Sequence, residues 1–181
     1  MRPGCCLASL AVIVAPVTAH AQDLLHTYLS DEFSPLAMAS VTIGAGIGTL
    51  QRSPSWWDRD EGFGYRLGTN FAAHTADVTV RDGLAAVMHQ DPSYVRCGCR
   101  NVFARAGHAV VSSFLARNDN GNYVLGVPQI AGAYAGGYTS AAFYGHTYGG
   151  WQGGLKLGTE AIGEHAGYNL IKEFVFPLFK H

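Results

Sequence analysis

"QIAGAYAGGYTSAAFYG", residues 129–145, contains no Asp, Glu, Lys or Arg, and the spacing of its small residues decides how the chain folds. Gly132 and Gly136 stand four apart, which puts both on one face of a helix and lets a neighbouring backbone come close. Pro128 just ahead suits a first helical turn, where a missing N–H costs nothing. Tyr and Thr also suit strands, so a β-rich fold is the minority alternative for this segment. "HTYGGWQGG" (146–154) then breaks the helix.

Working outward, the uncharged stretch runs from Asn120 to Leu155, 36 residues with ten glycines and seven aromatics. A second one runs from Phe33 to Gln51. A typical soluble domain carries about 25% charged residues, so each stretch must be either deep core or a surface that meets lipid. The few leucines and isoleucines in the longer one make it a poor greasy span but a good close-packing surface.

The rest of the chain reads as more helices. "FSPLAMASVTIGAGIGTL" (33–50) forms one, with small residues including Ala39 and Gly46 along one side, ended by a loop "QRSPSWWDRDEGFG" (51–64). From Tyr65 to about His89, Leu67, Phe71, Ala72, Val78, Ala85 and Val87 recur at helical spacing, and Asp91-Pro92 stops the run. Asn101 can cap a third helix with Val102, Phe103, Ala106, Val110, Phe114 and Leu115 on its apolar side, ended by "NDNGN" (118–122). A last helix spans about Lys156 to Phe176, stopped by Pro177. The expected fold is therefore all-α: a compact bundle of four to five Gly/Ala-rich helices. Residues 22–62 form an N-terminal helix and loop, and 63–181 form the helical core domain.

"GYRLGTNFAAHTADVTV" (64–80) aligns with "GLKLGTEAIGEHAGYNL" (154–170) at a constant offset of 90 residues. An internal repeat would make these helices face each other across a pseudo-twofold axis, with Gly68 and Gly158 in contact. Two similar helices of one bundle are the alternative.

At the N-terminus, Arg2, the apolar run "LASLAVIVAPV" (7–17) and "TAHAQ" (18–22) have the order of a secretory signal peptide, residues 1–21, cut after Ala21. Its apolar core falls short of the roughly 20 residues needed to span a bilayer. The exported chain of 160 residues keeps two of the four cysteines and carries 11 Lys and Arg against 13 Asp and Glu, a formal charge of −2. That balance argues against nucleic acid as a partner, since a phosphate footprint needs a whole face of clustered cations.

Four constellations are candidates for chemistry. Cys97-Gly98-Cys99 can form a disulfide in an oxidising compartment only through a tight turn at Gly98. A redox role would ordinarily need a Cys-x-x-Cys context that is absent. His74 and Asp77 share a helix face, and Glu164 and His165 sit on the matching helix of the repeat. Packed together, they could present a His/carboxylate set to a metal, although neither helix has the Glu-x-x-His order of di-metal bundles. Arg96, Arg100 and Arg105 form a basic strip that can contact an anion or lipid headgroup. The alternative is that they pair with Asp82, Asp91 or Asp119. No Gly-x-Ser-x-Gly elbow and no phosphate-binding glycine loop is present.

His89, Gln90, Asp91, Pro92 and Tyr94 read as a structural corner between two helices. Asp91 accepts from the backbone ahead, Pro92 sets φ, and Tyr94 packs back on the bundle. Together with "RNDNG" (117–121), the uncharged segment and "NLIKEF" (169–174), this His-Gln-Asp-Pro-x-Tyr element resembles a family of uncharacterised bacterial envelope proteins over roughly Phe63 to Phe174. That family has a basic residue where Ser93 stands and no cysteine pair at Cys97 and Cys99. The resemblance implies an envelope location and no particular activity or cofactor. The expectation is thus a non-enzymatic exported protein of the periplasm or envelope membrane, structural or lipid-interacting. Its partners would be membrane lipid, another envelope protein or a second copy. A small metal-dependent enzyme is the alternative.

Overall fold

The computed structural model describes residues 25–55, 59–145, 148 and 150–179. The expected signal peptide, Trp56, Trp57 and His146 lie outside the described residues.

Six helices and a small sheet make up the described chain. Helix α1 (residues 25–32) passes through Phe33 and Ser34 into α2 (Pro35–Gln51). Ser34 caps α2, its Oγ accepting from Ala37 N at 3.1 Å, and Pro35 sits in the first turn. Arg52, with a positive φ of 52°, closes α2. A turn containing a cis Ser53-Pro54 bond leads to α3 (Arg59–Met88), which runs back along α2 and α1. The contacts follow in reverse order. Arg66 donates to Ser53 O and Pro54 O, Asn70 to Val41 O, Phe71 meets Phe33, and Tyr28 bonds Thr79.

The remaining elements are β1 (Gln90–Asp91), α4 (Val102–Val111), β2 (Leu115–Asn118), β3 (Tyr123–Leu125), α5 (Val127–Tyr144) and α6 (Trp151–Phe174). A 3₁₀ turn follows (Phe176–Phe179). The strands form an antiparallel sheet in the order β1-β2-β3, with Asp91 opposite Arg117 and Arg117 opposite Tyr123. The all-α bundle expected from the sequence is the fold, with this three-stranded patch as a cap at one end.

The uncharged helix α5 is the centre of the bundle, packed between α3 and α6. Its two sides approach their neighbours through glycine. On one side, a Cβ at Gly132 would lie 2.8 Å from Asp77 O, and one at Gly136 would lie 2.9 Å from Ala73 O. On the other side Gly137 lies directly on the backbone of Gly158, and the Tyr134 and Tyr138 rings cover Gly158 and Gly154. No β-rich fold forms here, because the small residues pack best at helical spacing.

Several expected boundaries shift. The loop placed at 51–64 ends early, since α3 begins at Arg59, and "WQGG" is already the first turn of α6 rather than part of a break. Helix α4 stops at Val111, so Phe114 and Leu115 are not helical. Ser113 is buried and accepts from Asn169, while Phe114 O accepts from Gly126 N, which turns the chain into β2. "NDNGN" is the β2–β3 hairpin rather than a helix end. Asn118 Oδ1 accepts from Asn120 N and Asn122 N, and Gly121 takes the φ of 77° that such a turn requires. The inner face of α2 is Ala37, Val41 and Ala45, not the side carrying Ala39 and Gly46. Gly68 has open space around it and does not meet Gly158, because α5 lies between the two helices. The facing pair expected of a pseudo-twofold repeat is therefore not formed.

Candidate functional site

The interior is built from small and polar residues. Its apolar part is mostly alanine, with Val41, Val78 and Ile162 the larger members, and the largest fully buried side chains include two glutamates, Glu32 and Glu173. Each glutamate anchors a polar cluster.

Glu173 sits in the last turn of α6 and is 0% exposed. Its Oε1 accepts from Arg105 Nε at 2.6 Å, and its Oε2 accepts from the Tyr94 hydroxyl at 2.8 Å and from Cys97 N at 3.2 Å. Arg105 also donates to Glu173 O at 2.7 Å, its guanidinium covers the Phe174 ring, and Arg96 Nε stands 3.9 Å from Oε2. Burial alone would raise the Glu173 pKa, but the donors outweigh it and hold it below the usual carboxylate range. Burial, reinforced by the same carboxylate, pushes the Tyr94 phenol well up.

The segment "HQDPSYVRCGCRN" (89–101) is therefore a strap clamped on one acid. Asp91 accepts from Ser93 N and Arg117, Gln129 Nε2 donates to Leu115 O close by, and Cys97 and Cys99 are joined as a disulfide with Cα atoms 5.2 Å apart. Glu173 was not legible in advance. Its one sequence signal is a carboxylate beside Lys172 in a helix end that is otherwise largely apolar.

Glu32, 2% exposed, anchors the second cluster, where α1 meets α3. It accepts from the Thr75 hydroxyl, and its backbone carbonyl lies 3.1 Å from His74 Nε2. Further along α3, Arg81 is held by Asp31 at 2.6 Å and Asp82 at 2.9 Å. Burial works against the Arg81 charge, but its three acidic neighbours Asp82, Asp31 and Asp77 outweigh that and raise its pKa. Asp77 Oδ2 lies 2.7 Å from His165 Nε2, tying α3 to α6.

The four residues expected to hold a metal are thus divided. Asp77 and His165 pair with each other, His74 turns to Glu32, and Glu164 stands apart with its pKa raised by burial. Among the described residues no group of three His, Cys, Asp or Glu side chains converges on a point. Asp77 and His165 do meet across α3 and α6, but His74 is drawn to Glu32 on α1 instead, so the four do not gather on one ion.

The arginines are also divided. Arg105 faces inward and is spent on Glu173, while Arg96 is half-exposed at the edge of that clamp. Arg100 is exposed and makes no ion pair among the described residues. Asp91 does pair, with Arg117 at 2.6 Å, whereas Asp82 serves Arg81 and Asp119 lies 3.6 Å from His89. Two shallow clefts, one between His89 and Arg117 and one between Tyr65 and Phe143, include none of the buried acids. These contacts tie α1 to α3, α3 to α6, and the strap and α4 to the end of α6.

The outside is the reverse of the inside. Phe103 is 87% exposed, Leu50 78%, Val87 76% and Trp151 66%. Residues 25–51 form a helical segment long and apolar enough to cross a membrane, and most of it is not covered by the bundle. Its place near the N-terminus is compatible with a signal sequence or a membrane anchor.

No family model, no curated protein and no solved structure matches this chain.

Proposed function

We infer that this protein is an exported, non-enzymatic component of the bacterial cell envelope that works as a helical scaffold held against a membrane by its N-terminal helices. The observation that carries this reading is the outer face of α2. Ile43, Ile47 and Leu50 recur at helical spacing, all exposed, on a helix whose inner face Ala37, Val41 and Ala45 is already packed on the bundle. An outer face with three large aliphatic side chains in a row is favoured where apolar surroundings meet it. Water supplies none.

The two uncharged stretches support this by contrast. The longer one lies at the centre of the bundle as α5, where α3 and α6 cover it, and the shorter one lies at the edge with half its surface uncovered. The signal-like N-terminus and the His-Gln-Asp-Pro-x-Tyr resemblance agree with an envelope location. The non-enzymatic reading is supported by Glu173, whose two carboxylate oxygens are both taken by donors from the strap and α4, and by the two shallow clefts, which include none of the buried acids.

The test is fractionation of cells expressing the full precursor, with an alkaline carbonate wash of the membranes. Retention in the washed membranes is the expected result. Recovery in the soluble periplasm would overturn the reading and make α2 a surface for another protein.

A further inference from the structure

We propose that the outward face of α4, with Arg100 just ahead of it in the chain and Arg96 on the strap that leads into it, is a docking surface for the anionic headgroups of a phospholipid bilayer. The proposal rests on the reading of membrane contact above and adds a second contact with its own chemistry.

Three observations carry it. Helix α4 turns an apolar stripe to solvent: Phe103, Gly107 and Val110 at positions i, i+4 and i+7, with Phe114 just past its end, all exposed. Phe103 is the extreme case, an aromatic ring in the first turn with almost nothing against it. The opposite face is satisfied, since Ala109 is buried and Arg105 is locked on Glu173. The exposed stripe is therefore not a face waiting for its own core.

The second observation is charge. From Pro92 to Asn118 the chain has four arginines and no Asp or Glu, within a protein whose formal net charge is −1. Two of the four are neutralised, Arg105 by Glu173 and Arg117 by Asp91. Arg96 shares Glu173 only at 3.9 Å, and Arg100 makes no ion pair among the described residues. Arg100, three residues ahead of Phe103 in the chain, thus leaves positive charge at the start of the exposed apolar stripe. This combination matches the boundary of an anionic bilayer, where arginine pairs phosphate and an aromatic ring enters the acyl edge.

The third observation is that the strap is held in place. Cys97 N donates to Glu173 and Cys97 is bonded to Cys99, so Arg96 and Arg100 flank a short closed ring on a buried anchor. A second copy docking by the same face would set these arginines against themselves, which disfavours it as the occupant.

The test is co-sedimentation of the purified exported chain with vesicles of phosphatidylcholine alone and of phosphatidylcholine mixed with phosphatidylglycerol, for wild type, Arg100→Gln, Arg96→Gln/Arg100→Gln and Phe103→Ser. All these positions are exposed, and an unchanged circular dichroism melt shows that each variant folds. We expect tighter binding to the anionic vesicles, a loss of about fivefold for each arginine removed, a similar loss for Phe103→Ser, and weakening by added salt. Equal binding to the two vesicle types would overturn the proposal. So would wild-type affinity of the variants, or a dimer in lipid-free solution that Phe103→Ser abolishes. Binding to neutral vesicles reports on α2 instead. If it is absent while the anionic preference remains, the earlier reading fails and this one stands.

Discussion

Arg105 Nε lies 2.6 Å from Glu173 Oε1, and the carboxylate it meets is completely buried. The pair joins α4 to the end of α6, and Tyr94 and Cys97 N complete the carboxylate's shell. A buried acid with this many donors is destabilising to lose, because each donor would be left unpaired in a dry site. We expect Glu173→Gln to lower the unfolding free energy by about 3 kcal/mol, measured by urea denaturation. The pH dependence has a definite sign. The folded pKa of Glu173 is depressed, so its contribution is fully present above the ordinary Glu value of about 4.3 and is lost as pH falls through the lower folded value. Glu173→Gln should therefore flatten the acid limb of the stability curve. An unchanged acid limb would mean that other carboxylates set it.

Gly137 and Gly68 make opposite predictions for one substitution. A methyl at Gly137 runs into the backbone of Gly158, where neither helix can yield without moving away. Gly137→Ala should cost about 2 kcal/mol or more. Gly68 has nothing within 4 Å of an added Cβ, so Gly68→Ala removes only unfolded-state freedom and should stabilise by about 0.5–1 kcal/mol. Thermal melts of the two variants separate packing glycines from incidental ones. Equal effects would contradict the packing of α5 on α6 described here.

Those glycines also show how far the sequence could be read. Gly132 and Gly136, four apart in an uncharged segment, identified α5 as a close-packing helix, and Asn101 identified the start of α4, where its Oδ1 accepts from Phe103 N at 2.8 Å. Both signals are local. The repeat aligned Gly68 with Gly158, but nothing in either segment says that a third helix lies between them. The expected metal set came apart for a different reason: Asp77 does meet His165 across the bundle, but His74 is claimed by Glu32 of α1, a partner that the spacing along α3 does not reveal. Glu173 was missed because an acid next to Lys172 near a helix end looks solvated until its three donors, from residues 94, 97 and 105, are brought to it by the fold. The sheet was missed for a related reason. Strands of two to four residues leave too little alternation to detect, and Asn118 looked like a helix end when it was a hairpin.

His89 ends α3 with φ of 52°, a left-handed conformation that favours glycine, and its side chain is three-quarters exposed beside Asp119. An exposed contact at 3.6 Å contributes little. We therefore expect His89→Gly to stabilise the fold by about 1 kcal/mol, seen as a higher urea midpoint with unchanged slope. A loss of stability would show that the imidazole contributes more than its surface contact implies, and would single out the first residue of the His-Gln-Asp-Pro-x-Tyr element for a functional test.

The outer face of α2 allows a separation of stability from location. Ile43, Ile47 and Leu50 are exposed, so replacing all three by Gln removes little buried apolar area, and the melting temperature should stay within a few degrees of wild type or rise slightly. If the same surface meets lipid, each replacement puts an amide where hydrocarbon stood, at a cost of about 1–3 kcal/mol per group. The triple variant should then move from carbonate-washed membranes to the soluble fraction while remaining folded. The control is Val41→Gln on the opposite face, buried between α2 and α3. That change should lower the melting temperature without selectively releasing the protein, because it damages the bundle rather than its outer surface. A triple variant that unfolds would place these side chains against protein, and one that stays membrane-bound would show that α2 is not what holds the chain there.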